Sequence, residues 1–295
     1  MPTELQYKIS KKFLEREYIE KKLSSGAIAS IAGCSQWVIL DRLRLFRIEI
    51  RDKRWKLPLY RTKYSIDKKF FDKIIPDVAW VLGWLLSDGS IRLKPNKYFI
   101  IKLKTDDQDV LLKIKKILQY TGPLYKSLPN SKLTSKGVII NSSGYFLLKV
   151  SNEYLLDRLV ELGFRENKTL RERFLKEVEK KNDENVFRSF IRGIFEGDGS
   201  VMFDKKRFSL CFQIVGTYEL LETVQEYLIR YCDLKKTRLT NNIRHKNHFA
   251  LRYRGNIQAL RILEWLYKGS KNINRMNRKY NKFLLIKKKI KTLNL

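Results

Sequence analysis

From residue 77 onward the apolar positions switch between a helical and a strand-like spacing, and the whole series occurs twice. DVAWVLGWLLSDGSI (77–91) opens as an apolar helix, and YFIIKLKT (98–105) alternates as a half-buried strand does. DDQDVLLKIKKILQY (106–120) has the spacing of an amphipathic helix. Two strand-like pieces, GVIIN (137–141) and GYFLLKVS (144–151), and a helix, NEYLLDRLVELG (152–163), complete the series. The second series runs VFRSFIRGIFEGDGSV (186–201), FSLCFQIV (208–215), TYELLETVQEYLIRY (217–231), TRLTN (237–241), FALRYR (249–254) and NIQALRILEWLYKG (256–269). With SIRLK (90–94) and SVMFD (200–204) as first hairpin partners, both read helix, strand, strand, helix, strand, strand, helix. An internal duplication on this scale predicts an α+β fold of two pseudo-symmetric αββαββα halves, over residues 77–180 and 181–295. The second ends in a basic helix, KNINRMNRKYNKFLLIKKKIK (271–291).

Residues 1–51 are patterned differently. Phe13, Leu14, Tyr18 and Ile19 recur at helical spacing. LSSGAIASIAG (23–33) predicts a short second helix, with Ser24 or Ser25 as N-cap and Gly33 as its stop. Ser35 is placed to cap a third helix, SQWVILDRLRLF (35–46). This is the order of a small all-α helix-turn-helix module. In that reading Ser35, Gln36 and Trp37 face base edges, with Asp41, Arg42 and Arg44 on the polar side. The alternative is a three-helix bundle used for packing alone. Residues 52–76 are basic and aromatic without a clear period, and read as a linker that either follows a phosphate backbone or is a solvated tether.

Charge narrows the partners. The 62 Lys and Arg against 31 Asp and Glu give a net charge of +31 in 295 residues. Such an excess repels itself in the folded state and fits a polyanionic partner, double-stranded nucleic acid first. An anionic membrane surface is the second candidate, but no apolar run is long enough to span a bilayer and no lipidation motif is present. At 43% hydrophobic and 12% aromatic, the chain can still bury a core. Cys34, Cys211 and Cys232 are odd in number and far apart, which fits a reducing compartment. The first residues lack the apolar core of a signal peptide, so the expectation is an intracellular, cytoplasmic protein.

The candidate chemistry lies in the two opening helices. VLGWLLSDG (81–89) and IRGIFEGDG (191–199) both place Gly third, Asp eighth and Gly ninth, and Gly83 to Gly193 and Asp88 to Asp198 are both 110 positions apart. Gly83 and Ser87, like Gly193 and Gly197, lie four apart and share a helix face, so the two helices can cross with their backbones close. Gly89 and Gly199 follow the last turn, where a C′ glycine is expected. Asp88 and Asp198 then sit at two neighbouring helix C-termini, where a carboxylate is unfavourable. A hard divalent cation such as Mg²⁺ relieves this, held by one or two carboxylates and by phosphate oxygens. Carboxylates, cations and a phosphodiester together make a hydrolytic site. For a single copy, the plain reading is that Asp-Gly stops a helix.

The two nonapeptides resemble the paired motif of the LAGLIDADG homing endonucleases, in the form that carries both motifs on one chain. The resemblance spans residues 77–290. It implies a saddle of two αββαββα halves, motif helices at the interface, and antiparallel sheets straddling the DNA major groove. It also implies a site-specific, Mg²⁺-dependent double-strand break in a long asymmetric target, cut by a monomer, in the service of intron or intein mobility. The family's acidic residues occupy the eighth motif position, here Asp88 and Asp198, as catalytic groups and metal ligands. The sixth position, often an acid in the family, is Leu86 in one copy and Glu196 in the other.

The family also places basic or amide side chains around the metals. Lys149 is the only charged residue of its strand, and by the repeat it falls near Arg252; with Gln213 these are candidates for steering water or stabilising transition-state charge. The plainer reading of each is an ordinary DNA-facing strand residue. Lys102 and Lys104 alternate with Ile101 and Leu103 and share a sheet face toward phosphates or bases. Arg92, Lys94, Lys205 and Arg207 flank the matching hairpins, and Arg254 joins this DNA-binding set. His245 and His248 with Cys232 have poor spacing for zinc and read as a solvated loop. Two non-catalytic alternatives keep the scaffold: a DNA-binding transcription regulator and an RNA-binding intron maturase.

Overall fold

A computed structural model describes residues 9–51, 64–133, 139–168, 171–204, 208–241 and 247–292. The chain forms two compact units, Met1–Lys63 and Tyr64–Leu295. In the smaller one, α1 (Lys11–Leu14) continues as a π-helical stretch, Glu15–Glu20, and is followed by α2 (Ser25–Ala32) and α3 (Gln36–Leu45). Leu14, Tyr18, Ile28, Ala29, Ile39 and Leu43 form its core. The Ser24 hydroxyl accepts from the Ala27 N–H at 3.1 Å, and Gly33, at φ 66°, turns the chain in the left-handed region that favours glycine. Ser35 holds the N-cap position of α3, but its hydroxyl makes no capping bond.

The larger unit is α+β. Its first half runs α4 (Pro76–Ser87), β1 (Gly89–Arg92), β2 (Tyr98–Lys104), α5 (Gln108–Ile117), β3 (Leu124–Ser127), β4 (Asn130–Leu133), β5 (Ile139–Ser142), β6 (Tyr145–Val150) and α6 (Glu153–Glu161). After α7 (Lys176–Glu179) the second half runs α8 (Glu184–Asp198), β7 (Gly199–Asp204), β8 (Ser209–Gly216), α9 (Tyr218–Cys232), β9 (Thr240–Asn241), β10 (Phe249–Arg254) and α10 (Asn256–Tyr267), and α11 (Asn277–Thr292) closes the unit. The antiparallel sheets are ordered β1-β2-β6-β3 and β7-β8-β10-β9, the same topology twice.

One expectation needs correcting. GVIIN does not supply the fourth strand of the first sheet; β5 pairs only with β4, in a separate hairpin. The fourth strand is β3, whose LYKS is exposed in its two middle positions and half-buried at its ends. That pattern carries no alternation from which a strand could be read.

Residues 64–75, expected as part of a linker, are packed into the larger unit. Phe71 is fully buried, stacked edge-on against Phe70 and Phe99, and Ser65 and Thr121 exchange backbone and hydroxyl bonds. Residues 52–63 lie outside the described residues.

At the centre of the unit α4 crosses α8. Val78 to Leu86 are all buried, as are Val186 to Glu196. A Cβ on Gly83 would come within 2.9 Å of the Gly193 Cα and run into the Phe190 carbonyl; one on Gly193 would come within 3.0 Å of the Gly83 Cα and run into the Trp80 carbonyl. Backbone touches backbone, so neither side can yield as a flexible side chain would. A helical Gly→Ala change normally gains about 1 kcal/mol in propensity. Here the clash should outweigh it: Gly193→Ala is expected to destabilise the protein by about 1–3 kcal/mol in thermal or urea unfolding, as overpacked cores do. Ser90→Ala, on an exposed strand face, should change little.

Candidate functional site

The crossing brings the two helix ends together. Asp88 is the C-cap of α4, its N–H bonded to the Trp84 carbonyl at 3.0 Å, and Asp198 is the last residue of α8. A Cβ on Gly197 would lie 2.9 Å from Asp88 Oδ2 and would overlap the Ser87 side chain. The small residues at Ser87 and Gly197 are thus what let the carboxylates approach. Gly89 and Gly199 act differently from the expected C′ glycines. Gly199 is extended (φ −97°, ψ 164°) and Gly89 is not left-handed either. They are required because a Cβ would strike the preceding turn, 2.6 Å from Leu85 Cα at Gly89 and 2.9 Å from the Phe195 ring at Gly199.

Two lysines complete the arrangement. Lys168 Nζ donates to the carbonyls of Leu86 and, at 2.7 Å, Ser87. Lys279 Nζ donates to those of Phe195 and Gly199 at 2.7 and 2.6 Å. Each ammonium thus sits at the C-terminal end of one motif helix, where the helix end is negative: Lys168 on the last carbonyls of α4, and Lys279 on one carbonyl of α8 and on that of Gly199 just beyond it. Burial pushes both lysines down, Lys279 to about 8, and nearby carboxylates including Asp88 and Asp198 oppose the shift. Neither is marked by the sequence, because Lys168 lies in an irregular segment and Lys279 is one of many lysines in the basic C-terminal helix. The available signal was their spacing of 111 positions, one more than that of the motifs.

Asp88 and Asp198 reach solvent, yet they sit in a cleft of about 920 Å³ whose walls displace much of the surrounding water. That desolvation raises both carboxyls; for Asp198, lifted to about 6, the Asp88 charge is the next cause, opposed by Lys168 and Lys279. Arg92 and Lys94 line the same cleft, as do Arg165, Lys168, Glu172 and His248.

The sixth motif position is structural in the second copy. Glu196 is fully buried and accepts from Trp80 Nε1 at 2.7 Å and from the Met276 N–H at 2.9 Å. It thereby ties α4, α8 and the segment before α11 together. Arg192, on the next turn, donates to the Asn274 and Leu266 carbonyls.

The other expected site residues are spread over the sheet faces. Lys102 and Lys104 are exposed on one face of β2, with Lys102 Nζ 3.8 Å above the Tyr145 ring. Gly89 pairs with Ile101 and Gly199 with Ile214, so Ile100 and Gln213 are equivalent, and they pair with Lys149 and Arg252 respectively. The repeat equivalence of Lys149 and Arg252 is therefore present in the register. Lys149 Nζ lies 4.3 Å over the Tyr98 ring, and Arg252 Nε donates to Gln213 Oε1 at 2.6 Å. None of these three lines the carboxylate cleft; Arg252 lines a second cavity together with Arg254. Ser35, Gln36 and Trp37 are exposed at the start of α3, Trp37 to 67%, and Gln36 Nε2 donates to Ser25 Oγ at 2.9 Å. Arg42 is half-buried on α3. Lys205, Arg207 and His245 lie outside the described residues.

Among the described residues no group of three or more His, Cys, Asp or Glu is placed to hold a metal. What the structure offers is a pair of accessible carboxylates, both raised by desolvation and Asp198 further by the Asp88 charge, with nearby helix carbonyls already occupied by lysines. That donor set fits a hard cation completing its shell with water and phosphate oxygens, and does not fit zinc. Among these residues, no helix is long and apolar enough to cross a membrane.

Asp198 gives a pH test without any substrate. Its carboxyl binds a proton more tightly folded than unfolded, so its ionisation removes stability as pH rises from the ordinary carboxylate range through about 6. In metal-free buffer Asp198→Asn is expected to melt above wild type at pH 7, with the gap closing below pH 5. Added Mg²⁺ should narrow the gap at pH 7 by raising wild type alone.

Comparison with known proteins matches this architecture. The family described as WhiA LAGLIDADG-like domain matches twice, over residues 78–154 and 187–264, once on each half and together over slightly more than half of the chain. The chain is 27% identical over 159 residues to the ribonucleoside-diphosphate reductase NrdEB subunit alpha of Bacillus subtilis (strain 168), a match covering 52% of this chain and 14% of that relative's length. Similar solved structures include the N-terminal LAGLIDADG domain of DUF199/WhiA, with a TM-score of 0.41 and 16% identity over 73% of this chain and 93% of that one. The LAGLIDADG meganuclease I-AabMI bound to uncleaved DNA is also similar, with a TM-score of 0.43 and 13% identity over 74% and 92%.

Proposed function

The chain belongs to the family described as WhiA LAGLIDADG-like domain, and from that premise we propose that it is a site-specific DNA endonuclease of the homing type, making a metal-dependent double-strand break. The observation that carries this reading is the meeting of Asp88 and Asp198 at the ends of two tightly crossed helices in a chain of net charge +31. A DNA-binding protein that never cuts has no use for two carboxylates facing a polyanion. Asp88 and Asp198 would hold the cation, Mg²⁺ by its preference for oxygen ligands, and when bound it supplies positive charge that polarises a phosphodiester.

The chain's own residues do the rest. Lys168 and Lys279 add fixed positive charge beside the carboxylates, where negative charge develops as a phosphodiester breaks. Their lowered proton affinity lets Nζ give up a proton more readily than an ordinary lysine. Arg92 and Lys94, at the cleft wall, and Lys102 and Lys104, on the β2 face, contact the backbone and base edges of double-stranded DNA. Lys149, Gln213 and Arg252 serve that recognition too, since none reaches the cleft. The N-terminal unit presents the first turn of α3, Ser35 to Trp37 with Arg42 behind it, as a second reading element in the manner of a helix-turn-helix. One chain carries both halves, so a monomer suffices for a long asymmetric site.

A second reading, a DNA-binding regulator on the same scaffold, is favoured by the exposed first turn of α3. A library selection in Mg²⁺ separates the two. Wild type is expected to enrich one long cleaved site, and the Asp88→Asn/Asp198→Asn protein to bind that site without cutting it. Lys168→Ala or Lys279→Ala should slow cutting by about a hundredfold, while affinity at fixed salt changes only a few fold. Equal binding by wild type and double variant, with cutting by neither, would establish the regulator reading instead.

A further inference from the structure

A second cavity, of about 500 Å³, shares no lining residue with the carboxylate cleft. Lys235, Lys236, Arg238, Arg252 and Arg254 line it, with Gln258 from the first turn of α10, and no carboxylate does. The nearest acidic contact is Glu222, 3.7 Å from Lys236 Nζ at an exposed edge. The loop that carries three of these cations is held in place from beneath. Gln225, buried on α9, donates from Nε2 to the Thr237 carbonyl at 2.9 Å, and Tyr253, buried on β10, donates its hydroxyl to the Lys235 carbonyl at 3.2 Å. The cavity is therefore a shaped feature of the fold rather than a drift of surface lysines.

The end of α10 adds an independent element. Gly255 holds its N-cap position and offers no side chain, and no acidic residue lies in the first turn. The Asn256 side chain is engaged elsewhere, accepting from the Leu210 N–H and donating to the Phe208 carbonyl, both at 2.9 Å. The twelve-residue α10 thus begins without a side-chain cap, and Gln258 of its first turn lines the cavity; an open helix start suits an oxyanion. The first half is built the other way. Its corresponding helix, α6, is capped by Asn152, whose Oδ1 accepts from Leu155 N–H at 3.1 Å, and Glu153 in its first turn pairs with Lys97. The corresponding loop before β3, residues 121–123, reads TGP and has no cation.

We propose that the cavity formed by Lys235, Lys236, Arg238, Arg252, Arg254 and the start of α10 binds successive backbone phosphates of duplex DNA, with Lys235, Lys236 and Arg238 each neutralising one, at a site separate from the carboxylate cleft and without a counterpart in the first half. It rests on the reading of duplex DNA as the partner. It makes the grip on DNA unequal, with the second half holding more of the backbone charge.

The test measures binding of a random-sequence duplex as a function of salt, in Mg²⁺-free buffer so that no cutting intervenes. Each phosphate contact contributes about 0.9 to the slope of log affinity against log salt. Lys235→Ala/Lys236→Ala/Arg238→Ala is expected to lower that slope by about two to three with an unchanged melting temperature, while Lys235→Arg/Lys236→Arg keeps it. An unchanged slope in the triple variant overturns the proposal, as does a slope change seen on single-stranded RNA but not on the duplex. Should the triple variant fold poorly, Arg238→Gln alone, expected to lose about one, takes its place. If wild type binds no duplex, the DNA reading itself falls. The phosphate site is then judged by millimolar pyrophosphate: stabilisation of wild type beyond that of the variant keeps it, and equal stabilisation removes it.

Discussion

The contact on which the rest depends is backbone against backbone, where Gly83 of α4 meets Gly193 of α8. Two helices with ordinary side chains at the crossing would stand about 8–10 Å apart. With glycine on both, and Ser87 against Gly197 one turn later, the axes close up and the two C-termini arrive side by side. Every feature of the site follows from that closeness. Desolvation raises the proton affinity of both Asp88 and Asp198, the Asp88 charge raises that of Asp198 further, and Lys168 and Lys279 sit on the carbonyls beside them. The interface is also sealed by polar bonds, since Glu196 joins both motif helices to the strand of chain that delivers Lys279.

That strand of chain shows how the two halves have diverged. Asn274 reaches Asp77, Lys113 holds the Arg275 carbonyl, and Arg278 forks onto Asp107 at 2.8 and 2.9 Å. The second half's lysine is thus braced by the first half. Lys168 is placed instead by the segment after α6, next to the open cleft. The sheets keep a common register while their faces differ: Ile100 stands where the second half has Gln213, and the salt-bridged start of α6 stands where the second half has the uncapped start of α10. The frame is thus near-symmetric while the surface is not.

Much of this frame could be read in the sequence because it is periodic. The doubled glycine spacing gave the crossing and the register of the halves, and the alternation in β2, β6, β8 and β10 gave the sheets. The pairing of Lys149 with Arg252 across the repeat came from the same arithmetic. What escaped was carried by irregular segments. Strand β3 does not alternate, and β4 and β5 form a hairpin that imitates sheet strands. Lys168 and Lys279 sit after a loop and at the start of a helix, where no hydrophobic pattern marks a position as inward-facing. Gly89 and Gly199 were assigned the right place for the wrong reason: they avoid collision with the turn before them, and are not left-handed caps. The burial of Phe70 and Phe71 was hidden by the lysines around them.

The most direct measurement of the central claim is anomalous scattering from crystals of the protein with duplex DNA and Mn²⁺ in place of Mg²⁺. Manganese peaks are expected within ligand distance of the Asp88 and Asp198 carboxylates, between the helix ends and the DNA backbone. Manganese absent from that position, or bound only elsewhere on the protein, would contradict that claim.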